Sequence, residues 1–134
     1  MRSLKTGDIV QATYKSGEYI GVLTEMREAR RRGIVKILAV LKHPRQGDLH
    51  HPMNSDVPLF HQRRALANGE HASVPLASIR PYDGHIPDYH SSLLEAVRKD
   101  MEELQNMNTE WAKRSLEALT QLKNEYEENR HGNH

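Results

Sequence analysis

The sequence predicts an α+β fold, in which a small, partly open β-barrel is followed by an antiparallel helical hairpin. Three observations predict it. In the first 80 or so residues, apolar and polar side chains alternate in short runs separated by glycine-rich or charged turns. One run, residues 34–41, is apolar on nearly both faces, so it must be covered on both sides. From residue 88 the period lengthens to that of an amphipathic helix, and does so twice with a short break between.

The elements follow in chain order. Thr6-Gly7-Asp8 is a turn signal before a first strand at residues 9–14, where Val10, Ala12 and Tyr14 share a face. Residues 15–18 make a tight hairpin turn, with Gly17 expected at positive φ. A second strand at 19–26 carries Gly21, which marks a bulge or sharp bend. Residues 27–33 hold four arginines in a turn whose charge blocks edge pairing. After the strand at 34–42 comes a long connection, residues 43–59, in which Pro44, Pro52 and Pro58 exclude a continuous ladder. Residues 59–67 read as a returning strand closed by the Asn68-Gly69 turn, and residues 71–75 as a last strand. Residues 74–79 suggest a single 3₁₀ turn, after which the chain leaves the barrel. A 3₁₀ turn at that point favours an SH3-like, partly open barrel.

The helical part begins at an Asp88 or Ser91 cap, with Leu93, Val97, Met101 and Leu104 forming one stripe. Asn106 to Asn108 interrupts it, and Asn108 is the expected cap of the second helix. There Ser115, Ala118, Leu119, Leu122 and Tyr126 form the second stripe, and fraying is expected from residue 127. The organisation read from the sequence is therefore a barrel over 1–85, with an inserted loop at 43–59, and a helical hairpin over 86–130.

Composition excludes several classes of function. The chain has no cysteine, which removes disulfides, thiolate metal sites, cysteine nucleophiles and a lipid-bearing thiol together. Its start lacks a signal-peptide core and no run approaches the roughly 18 apolar residues of a membrane span, so a soluble, cytoplasmic chain is expected. Residues 1–90 carry 13 basic and 9 acidic side chains, a net of +4, against −3 for the remainder. Neither value reaches the footprint of a dedicated nucleic-acid binder. An aromatic content of 5% leaves the arginine turn without stacking platforms, so a KOW- or Tudor-type nucleic-acid module is only the runner-up and no nucleic acid is expected.

Four of the nine histidines, His43, His50, His51 and His61, fall in and around the long connection. Their H-x6-H-H-x9-H spacing matches no compact zinc motif, which places a histidine-metal hydrolase third. No nucleophile elbow and no phosphate loop is present, so no catalytic residue, metal or cofactor is expected. The chemistry that remains is recognition. Gln46-Gly47-Asp48 forms a turn, and Arg63 and Arg64 occupy adjacent positions that point to opposite faces of an extended chain. One guanidinium can pin the loop, through Asp48, Asp56 or Glu70, while the other meets an acidic partner. The candidate partner-binding set is His43, Gln46, Asp48, His50, His61, Arg63 and Arg64.

These same residues carry a resemblance. The blocks TGDIV at 6–10, YKSGEYIG at 14–21, LAVLKHPRQGDLH at 38–50 and DVPLFHQRRALA at 56–67 resemble the kinase-associated protein B family. The likeness continues through Val74-Pro75 and Pro87-Asp88-Tyr89 into the Trp111 helix, covering nearly the whole chain. It implies a non-catalytic accessory protein of spore-forming Gram-positive bacteria, acting with a sensor histidine kinase that feeds the sporulation phosphorelay. A second copy of the chain is the other candidate partner. The family name often includes "lipoprotein", to which a chain without cysteine has no counterpart. Direct membrane insertion is therefore not expected, and recruitment to the inner face of the membrane would come through the kinase.

Overall fold

A computed structural model describes residues 3–47 and 60–132, with side chains through residue 129. Strand β1 (Ile9–Tyr14) buries Val10 and Ala12, the alternation its sequence shows. It returns as β2 (Gly17–Arg27) through a two-residue turn, Lys15-Ser16. Both turn residues are left-handed, at φ 44° and 70°, as a hairpin of this length requires. Gly17, expected at positive φ, is instead the first strand residue. It is small for a different reason, since a Cβ there would stand 2.6 Å from the Tyr19 hydroxyl. At Gly21 the register with β3 (Arg32–Lys42) shifts, and a Cβ would lie 2.5 Å from the Lys36 carbonyl oxygen. The glycine lets the two strands close and bend at the bulge.

The remaining strands are β4 (His71–Pro75) and β5 (Ile79–Pro81), joined by one 3₁₀ turn at Leu76–Ser78. The five strands form one antiparallel sheet in the order β4-β3-β2-β1-β5, which is barrel-like in order but not closed. Two expectations are corrected. The chain does not leave the barrel after residue 79, because β5 pairs with β1, with Ile79 opposite Ala12. Residues 60–67 form no strand. They cross from the sheet to the helices, and side chains satisfy much of their backbone where a neighbouring strand would otherwise do so.

Helix α1 (Tyr89–Gln105) starts at Asp88, whose carboxylate accepts the Ser91 N–H at 2.9 Å. Helix α2 (Glu110–Gly132) follows a four-residue connection. Its cap is Thr109, not Asn108: the Thr109 hydroxyl accepts the Ala112 N–H at 3.1 Å. It also continues through Gly132, beyond the expected fraying point. The helices run antiparallel, with the start of α1 beside the end of α2 at one cleft and the reverse at another. Leu93, Val97 and Leu104 of α1 and Trp111, Leu119, Leu122 and Tyr126 of α2 join Val10, Leu23, Val35 and Ile37 in one core. The cover that β3 demanded is α1, whose Ser92 hydroxyl accepts the Val40 N–H at 3.0 Å. Among the described residues, no helix is long and apolar enough to cross a membrane.

Candidate functional site

The segments 43–47 and 60–67 lie side by side between the barrel and α2, and Gln46 joins them. Its side-chain oxygen accepts the Arg63 N–H at 2.9 Å, and its amide donates to the Arg63 carbonyl at 3.0 Å and the Pro44 carbonyl at 2.9 Å. Gly47 N–H donates to the His61 carbonyl, and the Trp111 indole donates to the Gln46 carbonyl at 3.2 Å. Gly47 itself needs φ 95°, the left-handed region that a side chain disfavours. Further along, three tyrosines hold the crossing segment. Tyr126 accepts the Ala65 N–H, Tyr19 accepts the Leu66 N–H, and Tyr89 donates to the Leu66 carbonyl at 2.6 Å. Burial pushes the phenols of Tyr19 and Tyr89 upward, that of Tyr19 to about 12, so they stay protonated.

His43 lies in the interior, 1% exposed. Burial pushes its imidazole down to about 4, against the hydrogen bond to Pro44 that favours the charged form; nearby Arg64 lowers it further. The ring is therefore neutral at physiological pH. Its Nδ1 lies 3.1 Å from the Pro44 carbonyl oxygen, which can only accept, so Nδ1 carries the proton. Nε2 is left as an acceptor for the Tyr126 hydroxyl at 2.9 Å. Tyr126 thus donates to His43 while accepting from Ala65.

The candidate residues accordingly divide. His43 and Gln46 have no surface to offer a partner; burial makes them the supports of the crossing segment. His61, Arg63 and Arg64 line an open groove of about 250 Å³. Asp48 and His50 lie outside the described residues. The two arginines make different contacts within the chain. Arg63 donates to the Gly47 carbonyl at 3.1 Å, while Arg64 stacks 5.2 Å over the Tyr126 ring and reaches Glu125 at 2.9 Å. Within the chain, the carboxylate that Arg64 reaches is exposed Glu125 rather than Glu70. Glu70 instead accepts the Ala67 N–H.

Sequence reasoning missed Lys15 and its neighbour Tyr14, which form the opposite wall of the groove, the ammonium 5.3 Å from the Tyr14 ring. A signal was available. A two-residue hairpin turn favours Asn-Gly, and Lys-Ser accepts left-handed strain there in exchange for its side chains. Ser16 uses its hydroxyl to accept the Arg45 N–H at 2.9 Å, tying the hairpin to the 43–47 segment. Among the described residues, the groove with Lys15 holds three cations and an imidazole, and no carboxylate lines it.

The arginine turn is partly satisfied within the chain. Arg27 pairs with Glu25, and Arg32 donates to the Ser73 hydroxyl and carbonyl. Among the described residues, no three histidine or acidic side chains gather as a metal cluster.

Comparison with known proteins places these features in a family context. The family model described as Kinase associated protein B matches residues 14–127. The Kinase-associated lipoprotein B of Bacillus subtilis (strain 168) is 49% identical over 126 residues, covering 94% of this chain and 97% of that protein. The crystal structure of kinase-associated protein B from Bacillus cereus superposes with a TM-score of 0.78 at 38% identity. That match covers 93% of this chain and 99% of the other.

Proposed function

The chain belongs to the Kinase associated protein B family, and from that premise we propose that it is a non-catalytic accessory protein that docks on a sensor histidine kinase of the sporulation phosphorelay. The single observation that carries the docking surface is the groove of Lys15, His61, Arg63 and Arg64, which concentrates positive charge with no carboxylate among its described lining residues. The Arg64–Glu125 pair beside it is exposed, so a partner's carboxylate can exchange with it. Such a groove suits an acidic segment of the kinase's cytoplasmic part. Arginine pairs with carboxylates in a planar fork, and the summed charge steers the encounter. Rigidity supports this reading, because Gln46, Tyr19 and Tyr126 fix the backbone beneath these side chains before any partner arrives. The Bacillus subtilis relative is named a lipoprotein, whereas this sequence has no cysteine to acylate. Recruitment to the membrane would then come through the kinase.

The test is binding of purified cytoplasmic parts of sensor histidine kinases to the wild type, to Lys15→Ala/Arg64→Ala and to a control, Lys5→Ala, remote from the groove. The double variant should lose most of the affinity while the control keeps it. Wild-type binding should weaken as salt rises. Equal binding by the double variant would move the contact elsewhere on the surface. A wild type that binds no kinase would remove the kinase reading itself.

A further inference from the structure

Beyond the basic groove, a second cavity of about 120 Å³ lies where the end of β3, the 43–47 segment and the turn-side ends of both helices meet. Its charge is arranged differently. Lys42 and Arg45 face it from the sheet and connecting segment, and Asp100 and Glu103 face it from α1. These formal charges cancel. Lys42, Arg45 and Glu103 are exposed at its mouth and half-buried Asp100 feels the pull of both cations, yet none of the four closes an ion pair with another among the described residues. Leu104 and Met107 supply apolar wall. On α2, Trp111 and Ser115 complete the lining. Ser115 is fully buried, and among the described residues its hydroxyl has no hydrogen-bond partner. A buried hydroxyl left unpaired is costly, and a fold keeps one most readily where something else supplies the missing bond.

We propose that this chamber is a binding site for a small zwitterion, an α-amino acid with a short side chain. The separation of charge selects the class. A simple anion would suit Lys42 and Arg45 but meet the carboxylates, and a simple cation would meet the reverse conflict. A neutral polyol would gain nothing from the separation of the two charge pairs. An amino acid answers both pairs, its carboxylate toward Lys42 and Arg45 and its ammonium toward Asp100 and Glu103. Its short side chain lies against the apolar wall, and the Ser115 hydroxyl gains its partner. The volume has room for several waters or one small organic molecule. His43, the remaining ionisable group among the described lining residues, has both ring nitrogens committed to Pro44 and Tyr126 and takes no part in binding.

The reporter is built in. Trp111 is the chain's one tryptophan, lines the chamber and has the Arg45 guanidinium 6.0 Å from its ring. Titrating the intact chain with glycine, alanine or serine should change Trp111 emission and shift its indole N–H resonance saturably. Glycerol, acetate and methylammonium at the same concentrations should not. Asp100→Asn and, from the opposite wall, Arg45→Gln should each weaken binding about tenfold, the loss of one charge-assisted hydrogen bond. Lys15→Ala, in the other groove, should leave it unchanged. Burial and the nearby Glu103 push the Asp100 carboxyl up to about 6, against the pull of Lys42 and Arg45. Binding should therefore weaken as pH falls from 8 to 5 and that carboxylate takes a proton. No saturable response to any amino acid would mean the chamber holds water alone. A response shared with glycerol, or unchanged in both variants, would make it an unselective polar cavity. Any of these overturns the proposal.

Discussion

The two faces of the crossing segment are built from neighbouring residues and behave in opposite ways. On the inner face, His43, Gln46 and Tyr126 are each at most 5% exposed, and they bond to one another and to the passing backbone. On the outer face, Lys15, His61 and Arg64 stand in solvent, and the contacts that Arg64 makes are to exposed Glu125 and one tyrosine ring. Residue type does not separate the two faces, since each has a histidine and each has hydrogen-bonding side chains. Accessibility separates them. Inside, an unmade hydrogen bond is expensive, so every group is committed to structure. Outside, water substitutes freely, so exposed charges are not committed to structure in the same way.

If that contrast is right, inner-face substitutions should cost stability in proportion to the bonds they break, and outer-face substitutions almost none. The largest effect is expected from Gln46→Leu, which removes three hydrogen bonds and strands the Arg63 backbone. Denaturant unfolding should show a loss of about 3–4 kcal/mol.

Next comes the pH dependence carried by His43. Its native pKa of about 4 lies below the ordinary 6.5, so the unfolded chain binds the proton first on acidification. The stability from the neutral ring is present above pH 6.5 and is lost as pH falls toward 4. On the scale of 1.36 kcal/mol per unit, the loss is on the order of 3 kcal/mol. Relative to His43→Gln, which cannot titrate, the wild type should lose this advantage between pH 7 and 4. Parallel stability curves would show the ring is not buried and neutral.

Tyr126→Phe should cost less, about 2 kcal/mol. It removes one hydroxyl but leaves the Ala65 N–H without its acceptor and His43 Nε2 without its donor. Hydrogen exchange at Ala65 should accelerate in the same variant. The smallest effect belongs to the outer face. Arg64→Ala breaks an exposed pair with Glu125 and should shift stability by less than about 0.5 kcal/mol, read as a melting temperature near that of the wild type. A loss near that of Tyr126→Phe would mean the stack on Tyr126 is structural and would blur the distinction between the faces.

Sequence alone determined the parts whose cause is local. The alternation of residues 9–14, the two helical stripes and the Asp88 cap each depend on residues a few positions apart, so periodicity and capping chemistry reveal them. The dense run at 34–41 announced that a cover was needed, although not that α1 supplies it. Tertiary structure decided what depends on distant partners. His43 meets Tyr126 across 83 positions and Gln46 meets Trp111 across 65. No pattern near either residue says that it is buried. Residues 60–67 have a strand's composition, yet side chains take their backbone bonds before a ladder can form. The short β5 needs β1 beside it to exist at all. Lys15 enters the groove, and Ser115 the chamber, only because the hairpin turn and the second helix fold back against one connecting segment. Burial, which separates a pinned histidine from a solvent-exposed arginine, is a property of that packing.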